Sequence, residues 1–328
     1  MAPIIHRPAI EAAERRIRPL LHPTPVLLST YLDGLSGKKL FFKCENLQKT
    51  GSFKARGALN AITAAKEVGA LDGVITQSSG NHGQGLAWAS AQLEIPCVVV
   101  VPINAPQPKV DAMRGYGAEI VFCEATMKDR LETCERLAKE RGLKVIDPHN
   151  DYDVMAGQAT IGIEFLEQVP SLDAILVATG GGGLAGGVSR CIREYNPRCR
   201  VFCVEPEGKE LAKSLTARAR LWDEAKLLTT IADGVRPLRV ADKCFGELLD
   251  TVSPDDVLTV SDLEIAESMK LIFERMKLVI EPSAAMGLAA VLQKPEILKD
   301  YKNIGLILCG GNVDLQNAVK LMYSSQNL

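Results

Sequence analysis

Lys54 stands in the run Thr50-Gly51-Ser52-Phe53-Lys54-Ala55-Arg56-Gly57-Ala58, where an apolar-flanked segment at 39–44 gives way to a helical pattern of small residues at 57–65. If a lysine at such a loop-to-helix junction is buried, its ammonium loses solvation and its pKa falls. The neutral amine can then condense with an aldehyde to form an imine. Most lysines face water, so the reading depends on what accompanies this one. The second element is Ala178-Thr179-Gly180-Gly181-Gly182-Gly183-Leu184-Ala185-Gly186-Gly187, which follows the apolar run 174–177 and opens a helical stretch to about residue 195. Gly180, Gly181, Gly182 and Gly183 permit positive φ and leave backbone N–H groups bare, so with the helix N-terminus they form a nest for a phosphate. The same loop satisfies a dinucleotide pattern, Gly181-x-Gly183-x-x-Gly186, with Glu205 ending the strand at 200–204 about where a ribose-binding acid falls. On this loop alone a nicotinamide-linked dehydrogenase stays open.

A third element, Ser78-Ser79-Gly80-Asn81-His82-Gly83-Gln84-Gly85, lies between a strand-like segment at 73–76 and a helical one at 86–93. Short hydroxyl and amide side chains beside the N–H groups of a helix start suit a carboxylate, and they equally suit an ordinary N-cap. The fourth is Cys309-Gly310-Gly311-Asn312 after the buried-strand run 304–308. A single cysteine there reads as chemistry or as inert core.

In this order the four stretches resemble the serine racemase and serine/threonine dehydratase group of fold type II pyridoxal phosphate (PLP) enzymes. The likeness runs nearly the whole length, through His22-Pro23-Thr24-Pro25-Val26, Phe42-Lys43-Cys44-Glu45-Asn46, Ala156-Gly157-Gln158, Ile231-Ala232-Asp233-Gly234 and Glu274-Arg275-Met276-Lys277. It implies a tryptophan synthase β-like α/β fold, two parallel-sheet lobes with the cofactor between them. It implies that Lys54 is the Schiff-base lysine, that Phe53 packs at the cofactor ring, and that Asn81 bonds the ring hydroxyl. Gly180 to Gly183 would hold the phosphate and Cys309 would partner the pyridine nitrogen. Ser78, Ser79, Gly80, Asn81 and His82 would form the substrate carboxylate loop, with a ring N–H from His82, and Arg130 matches an arginine near the substrate. A homodimer is implied as well.

A thiol with a pKa of about 8.5 keeps its own proton, so a Cys309 partner leaves the pyridine nitrogen neutral. Such a ring stabilises a carbanion less, which suits brief deprotonation and reprotonation, or loss of a β-leaving group, and disfavours transamination. Racemisation needs a proton carrier on each face of the planar carbanion, and the resemblance supplies Lys54 and Ser79. Many dehydratases of the group carry alanine in place of Ser79. The expected activity is interconversion of L- and D-serine with elimination of serine to pyruvate and ammonia. The alternative is a serine, threonine or hydroxyaspartate ammonia-lyase that racemises little. Two departures from the racemase pattern bear on substrate choice: Pro237 replaces a serine near the substrate, and Cys309 replaces a serine at the pyridine nitrogen. Glu205 matches a ligand for Mg2+ or Ca2+, but the second acidic ligand falls on Leu211, with Glu207 or Glu210 as possible substitutes. Gln84 and Lys277 match positions of an ATP effector site at the dimer interface.

The elements that must position these residues alternate between strands and helices, the pattern of parallel α/β sheets. Strands are expected at 73–77, 97–101, 119–123 and 144–147, with helices at 84–93, 109–115 and 128–141. A second series holds strands at 174–178, 200–204 and 304–308 and an apolar-striped helix at 265–276. Lys54 precedes the first series and the glycine loop follows it, so both reach one cofactor only if the first series is an inserted lobe. The expected division is a discontinuous large domain, 1–72 with 150–328, and a small domain at 73–149. Residues 205–230 are weakly patterned and read as mobile or exposed.

With 328 residues, 47% apolar and 24% charged, the chain can bury two cores. A net charge of −2 and 5% aromatic content give no nucleic-acid surface. No apolar run has the length of a membrane span, and the start lacks the apolar core of a signal peptide. Nine cysteines scattered without CxxC pairs point to reduced thiols and a cytoplasmic protein, not to disulfides or zinc.

Overall fold

Runs such as Cys97–Pro102, buried at every position, have no polar face to give to water, so helices must cover them on both sides. The computed structural model describes residues 5–222 and 228–324. Its strands are β1 (Val26–Leu27), β2 (Lys39–Lys43), β3 (Val74–Gln77), β4 (Cys97–Pro102), β5 (Glu119–Cys123), β6 (Lys144–Val145), β7 (Ala174–Ala178), β8 (Arg200–Pro206), β9 (Val257–Val260) and β10 (Asn303–Ile307). They form a six-stranded sheet in the order β1-β2-β10-β7-β8-β9 and a four-stranded sheet in the order β5-β4-β3-β6. The pairings are parallel apart from β1 with β2. These are the two α/β lobes that the alternating pattern implies.

Helix Lys54–Val68 joins the lobes. It buries Ala55, Leu59 and Ile62 in the same core as Val74, Val99 and Trp88 of the four-stranded lobe, with Ile17 and Val154 from outside it. Lys54 is the first residue of this helix, so the helical pattern starts earlier than residue 57. The strand expected at 144–147 ends at Val145, because the chain turns at Asp147, whose Oδ1 accepts the N–H groups of His149 and Asn150 at 2.9 and 2.6 Å. Residues 205–222 meet the expectation of a mobile or exposed stretch only in part, with Glu207, Gly208 and 216–219 exposed. They contain helix Leu211–Ala217, which buries Leu211, Ser214 and Leu215, and Glu205 and Lys209 are buried beside it. The rest of that stretch includes 223–227, outside the described residues. All nine cysteines are buried and free, as their scatter suggested. Among the described residues no helix is long and apolar enough to cross a membrane.

A buried ionic cluster ties β2 to the helix that carries Lys54. Arg56 donates from Nε and Nη2 to the two Glu45 oxygens, each at 2.7 Å, and from Nη2 to Glu164 at 3.0 Å. Lys43 donates to Glu164, to the Thr24 carbonyl and to Gln168 at 2.5, 2.7 and 2.8 Å. Charges taken out of water in this way stabilise only as a complete set; removal of one partner strands the others. Arg56→Met is therefore expected to cost about 3–5 kcal/mol. In thermal denaturation followed by circular dichroism it lowers the midpoint by roughly 5 °C.

Candidate active site

The loops that carry the chemistry leave the carboxyl ends of parallel strands, where open α/β sheets hold ligands. Ser78 to Asn81 follow β3, Pro148 and His149 follow β6, the glycine loop follows β7, Glu205 is the penultimate residue of β8, and Cys309 follows β10. Lys54 is anchored from behind, because the Phe53 N–H donates to the Cys309 carbonyl at 3.1 Å and Ser52 bridges to Gly310. Its Nζ lies 5.1 Å from the centre of the Phe53 ring and donates to the Pro148 carbonyl at 2.7 Å. Burial lowers the Lys54 pKa to about 8, against the pull of Asp147 in the opposite direction. The side chain is thus poised between its charged and neutral forms near physiological pH.

The glycine loop lies one residue from that contact. A Cβ at Gly181 would stand 2.6 Å from the His149 ring and one at Gly183 3.1 Å from the His149 Cα. On the other side a Cβ at Gly182 would meet Val240 at 2.6 Å, and Gly182 has φ +93°. Only glycine satisfies both the space and the backbone there. Gly182 caps helix Gly183–Tyr195 without a side-chain bond. Among the described residues the four glycine N–H groups, all buried, find no acceptor. Bare N–H groups at a helix N-terminus fit a phosphate, so this cradle suits the phosphate of PLP while Lys54 suits its aldehyde.

The loop after β3 is pressed against the lysine, since a Cβ at Gly85 would lie 3.1 Å from the Lys54 carbonyl carbon. No side chain caps helix Asn81–Gln92, whose N-cap is Gly80. The ordinary capping explanation for Ser79 therefore fails, and its half-buried hydroxyl stands at an uncapped helix start. Ser78 Oγ accepts the Gly80 N–H at 3.3 Å. Asn81 donates to Glu281 at 2.8 Å and its Oδ1 accepts from Asn312 at 2.9 Å. His82 departs from the expected donor role. Its ring donates from Nε2 to the Ile146 carbonyl at 3.1 Å, Nδ1 is buried without a partner, and burial together with Lys54 pushes its pKa down to about 3. The ring is neutral with its one N–H already committed, so it has none for a carboxylate.

Cys309 is buried, and its Sγ lies 3.8 Å from Glu281 Oε1. Burial, followed by the nearby carboxylate, raises the thiol pKa well above its ordinary value, in line with a thiol that keeps its proton. Glu281 was not anticipated from the sequence. It is buried, and desolvation raises its pKa to about 7 against the Asn81 hydrogen bond. One signal existed: an acidic residue followed by Pro282 at a helix start after the apolar triplet Leu278-Val279-Ile280. His149, also missed, has its pKa pushed down to about 4 by burial and by Lys54, and it forms one wall of the glycine loop.

Three further candidate residues remain, of which Gln84 sits in the helix of Asn81 and donates its backbone N–H to the Gly80 carbonyl at 3.2 Å. Arg130 is half-buried on helix Met127–Arg141 of the small lobe, with Nε buried and unpartnered. Gln84 is buried in helix Asn81–Gln92. Lys277 is exposed at the end of helix Asp262–Met276 and donates to the Glu274 carbonyl.

Glu205, matched to a cation ligand by the resemblance alone, has other partners. Its Oε1 accepts the Leu211 N–H at 3.1 Å, and Lys209 is the charge that lowers its pKa against the larger, raising effect of burial. No group of three metal-ligating side chains occurs among the described residues. A divalent ion does not fit where Leu211 supplies no oxygen and an ammonium stands beside the carboxylate.

A family model described as pyridoxal-phosphate dependent enzyme matches residues 17–310. The chain is 44% identical over 319 residues to a serine racemase of Dictyostelium discoideum, covering 95% of this chain and 96% of the relative. It is 42% identical over 306 residues to a beta-hydroxyaspartate dehydratase of Paracoccus denitrificans, covering 93% and 95%. The crystal structure of a pyridoxal 5'-phosphate-dependent aspartate racemase superposes with a TM-score of 0.91 at 46% identity, covering 97% of this chain and 99% of the other. The glycine cradle, the perturbed lysine and these full-length matches agree, and the nicotinamide alternative is set aside: this chain belongs to the pyridoxal-phosphate dependent enzymes.

Proposed function

We propose that this enzyme racemises serine and, from the same deprotonated substrate, eliminates water to release an enamine that takes water back on hydrolysis to pyruvate and ammonia. The observation that carries the reading is the pairing of Lys54, poised near pH 8, with an uncapped Ser79 on a loop packed against the Lys54 backbone. Bound PLP supplies an electron sink that acidifies the substrate α-proton. Lys54 Nζ takes or gives that proton on one face, and a group that titrates near the working pH is suited to both. Ser79 Oγ serves the other face, where the N-terminal end of helix Asn81–Gln92 favours the developing negative charge. Asn81 positions the ring hydroxyl, Phe53 packs at the ring, and the N–H groups of Gly180 to Gly183 hold the phosphate. Cys309 keeps its proton and leaves the pyridine nitrogen neutral. The backbone N–H groups of Ser79, Asn81 and His82 receive the substrate carboxylate.

One observation favours a second reading. The unpartnered Arg130 Nε is an unspent donor suited to a substrate with a second carboxylate, and the hydroxyaspartate dehydratase among the relatives acts in that class. Incubation with L-serine, L-threonine, L-aspartate and hydroxyaspartate, followed by chiral chromatography and 2-oxoacid determination, decides between them. The expected products from L-serine are D-serine and pyruvate. Release of 2-oxoacid with no D-amino acid from any substrate overturns the racemase reading.

The same proposal assigns 1–72 with 150–328 to the cofactor-binding domain and 73–149 to the small domain, with the ion pair of Lys109 and Asp233 at 3.2 Å crossing between them. Leu28, Tyr31 and Leu35 are exposed at helical spacing and suit the interface of a homodimer. Nine free thiols suit the cytoplasm.

A further inference from the structure

Lys209 is only 8% exposed and follows Gly208, whose φ of +93° turns the chain inward after β8. Its Nζ donates to the carbonyl oxygens of Thr179 at 3.1 Å and Gly180 at 2.9 Å, at the entry of the glycine loop. In a trans peptide the carbonyl of one residue and the N–H of the next point in opposite directions. With the Thr179 and Gly180 carbonyls drawn toward Lys209, the N–H groups of Gly180 and Gly181 face away from it, into the cradle. Neither donates within the described chain. Glu205, itself 1% exposed, supplies the neighbouring negative charge.

Main-chain carbonyls beside a carboxylate are the surroundings of a bound hard cation. Here an ammonium on a covalent tether stands among them, and Leu211 meets the Glu205 carboxylate with its backbone N–H at 3.1 Å. We propose that Lys209 is the resident cation of the phosphate loop: a positioning residue that holds the cradle's N–H groups in line, so that cofactor retention needs no added metal. This rests on the reading that the glycine loop binds the PLP phosphate.

A cleft lined by Glu205, Lys209, Glu210, Leu211 and Ser214 opens beside the ammonium, so a small cation can reach the space that Lys209→Ala vacates. Lys209→Met fills that space without charge. The experiment measures PLP affinity of cofactor-stripped protein by fluorescence titration, in chelator, with and without potassium, ammonium or magnesium chloride. Wild type is expected to be indifferent to these cations and to the chelator. Both variants are expected to bind PLP about 10- to 100-fold more weakly, the loss of hydrogen bonds from a charged donor. Potassium or ammonium is expected to restore affinity in Lys209→Ala and not in Lys209→Met. A cation-dependent Lys209→Ala supports the proposal even if Lys209→Met does not fold. Affinity in Lys209→Ala that is unchanged, or lost without response to any cation, overturns it, as does a wild type that loses PLP in chelator. Failure of wild type to bind PLP in any condition condemns the reading of the loop instead.

Discussion

Lys54→Ala is expected to abolish racemisation and elimination together, each by roughly 10⁴-fold, because the substitution removes the covalent anchor and a proton carrier at once. The visible absorption band of the holoenzyme, expected near 410–420 nm for a protonated PLP imine, disappears with it. PLP itself is still retained weakly, since the N–H groups of Gly180 to Gly183 and the Phe53 ring are unchanged. The predicted signature is therefore a loss of band and rate that exceeds the loss of cofactor. The prediction follows from placement: Lys54 Nζ donates to the Pro148 carbonyl beside the glycine loop, whereas Lys209, the other lysine at that loop, is committed to the Thr179 and Gly180 carbonyls. Steady-state rates, the absorption spectrum and equilibrium dialysis of PLP check the three parts separately. Retention of more than a few per cent of either activity contradicts the role.

Ser79→Ala separates the two reactions. Elimination from L-serine needs one proton carrier at Cα and a protonated leaving hydroxyl, whereas racemisation needs a proton carrier on each face. Removal of the Ser79 hydroxyl is expected to lower serine racemisation by about 10²–10⁴-fold, while pyruvate formation from L-serine stays within a few-fold. Elimination from D-serine falls along with racemisation, because deprotonation then begins on the Ser79 face. No stability loss accompanies the change, since the hydroxyl caps no helix. Initial rates from both enantiomers check this. An equal fall in elimination from L- and D-serine contradicts an assignment by face.

The parts of the site legible in the sequence are those whose physics is local. The glycine run, Gly180 to Gly183, carries its requirement for positive φ and close approach within a few residues, and a strand precedes it. Lys54 announces itself by its place at a helix start, and Cys309 by the buried run before it. The missed groups owe their character to partners far along the chain. Glu281 is tied to the candidate site through Asn81, 200 positions away. Lys209 looks like any surface lysine until its contacts with Thr179 and Gly180, 30 and 29 positions away, are in view. The burial of Glu205 at the start of the weakly patterned stretch is hidden for the same reason, because polar letters suggest solvent when their partners cannot be seen. Helices Tyr152–Gln168 and Pro282–Gln293 escaped notice because they are buried on most sides, so no apolar stripe marks their period. His82 illustrates the converse error: its proximity to the carboxylate loop was legible, but the Ile146 carbonyl that occupies its ring N–H was not.

The whole account depends on a covalent bond between Lys54 Nζ and the PLP aldehyde carbon. Borohydride treatment of the holoenzyme, proteolysis and mass spectrometry of the peptides test it directly, because reduction converts the linkage to a stable secondary amine. The predicted result is one pyridoxyl-modified peptide, carrying the added mass on Lys54. Modification on another lysine, or none in protein that has been reconstituted with PLP, contradicts it.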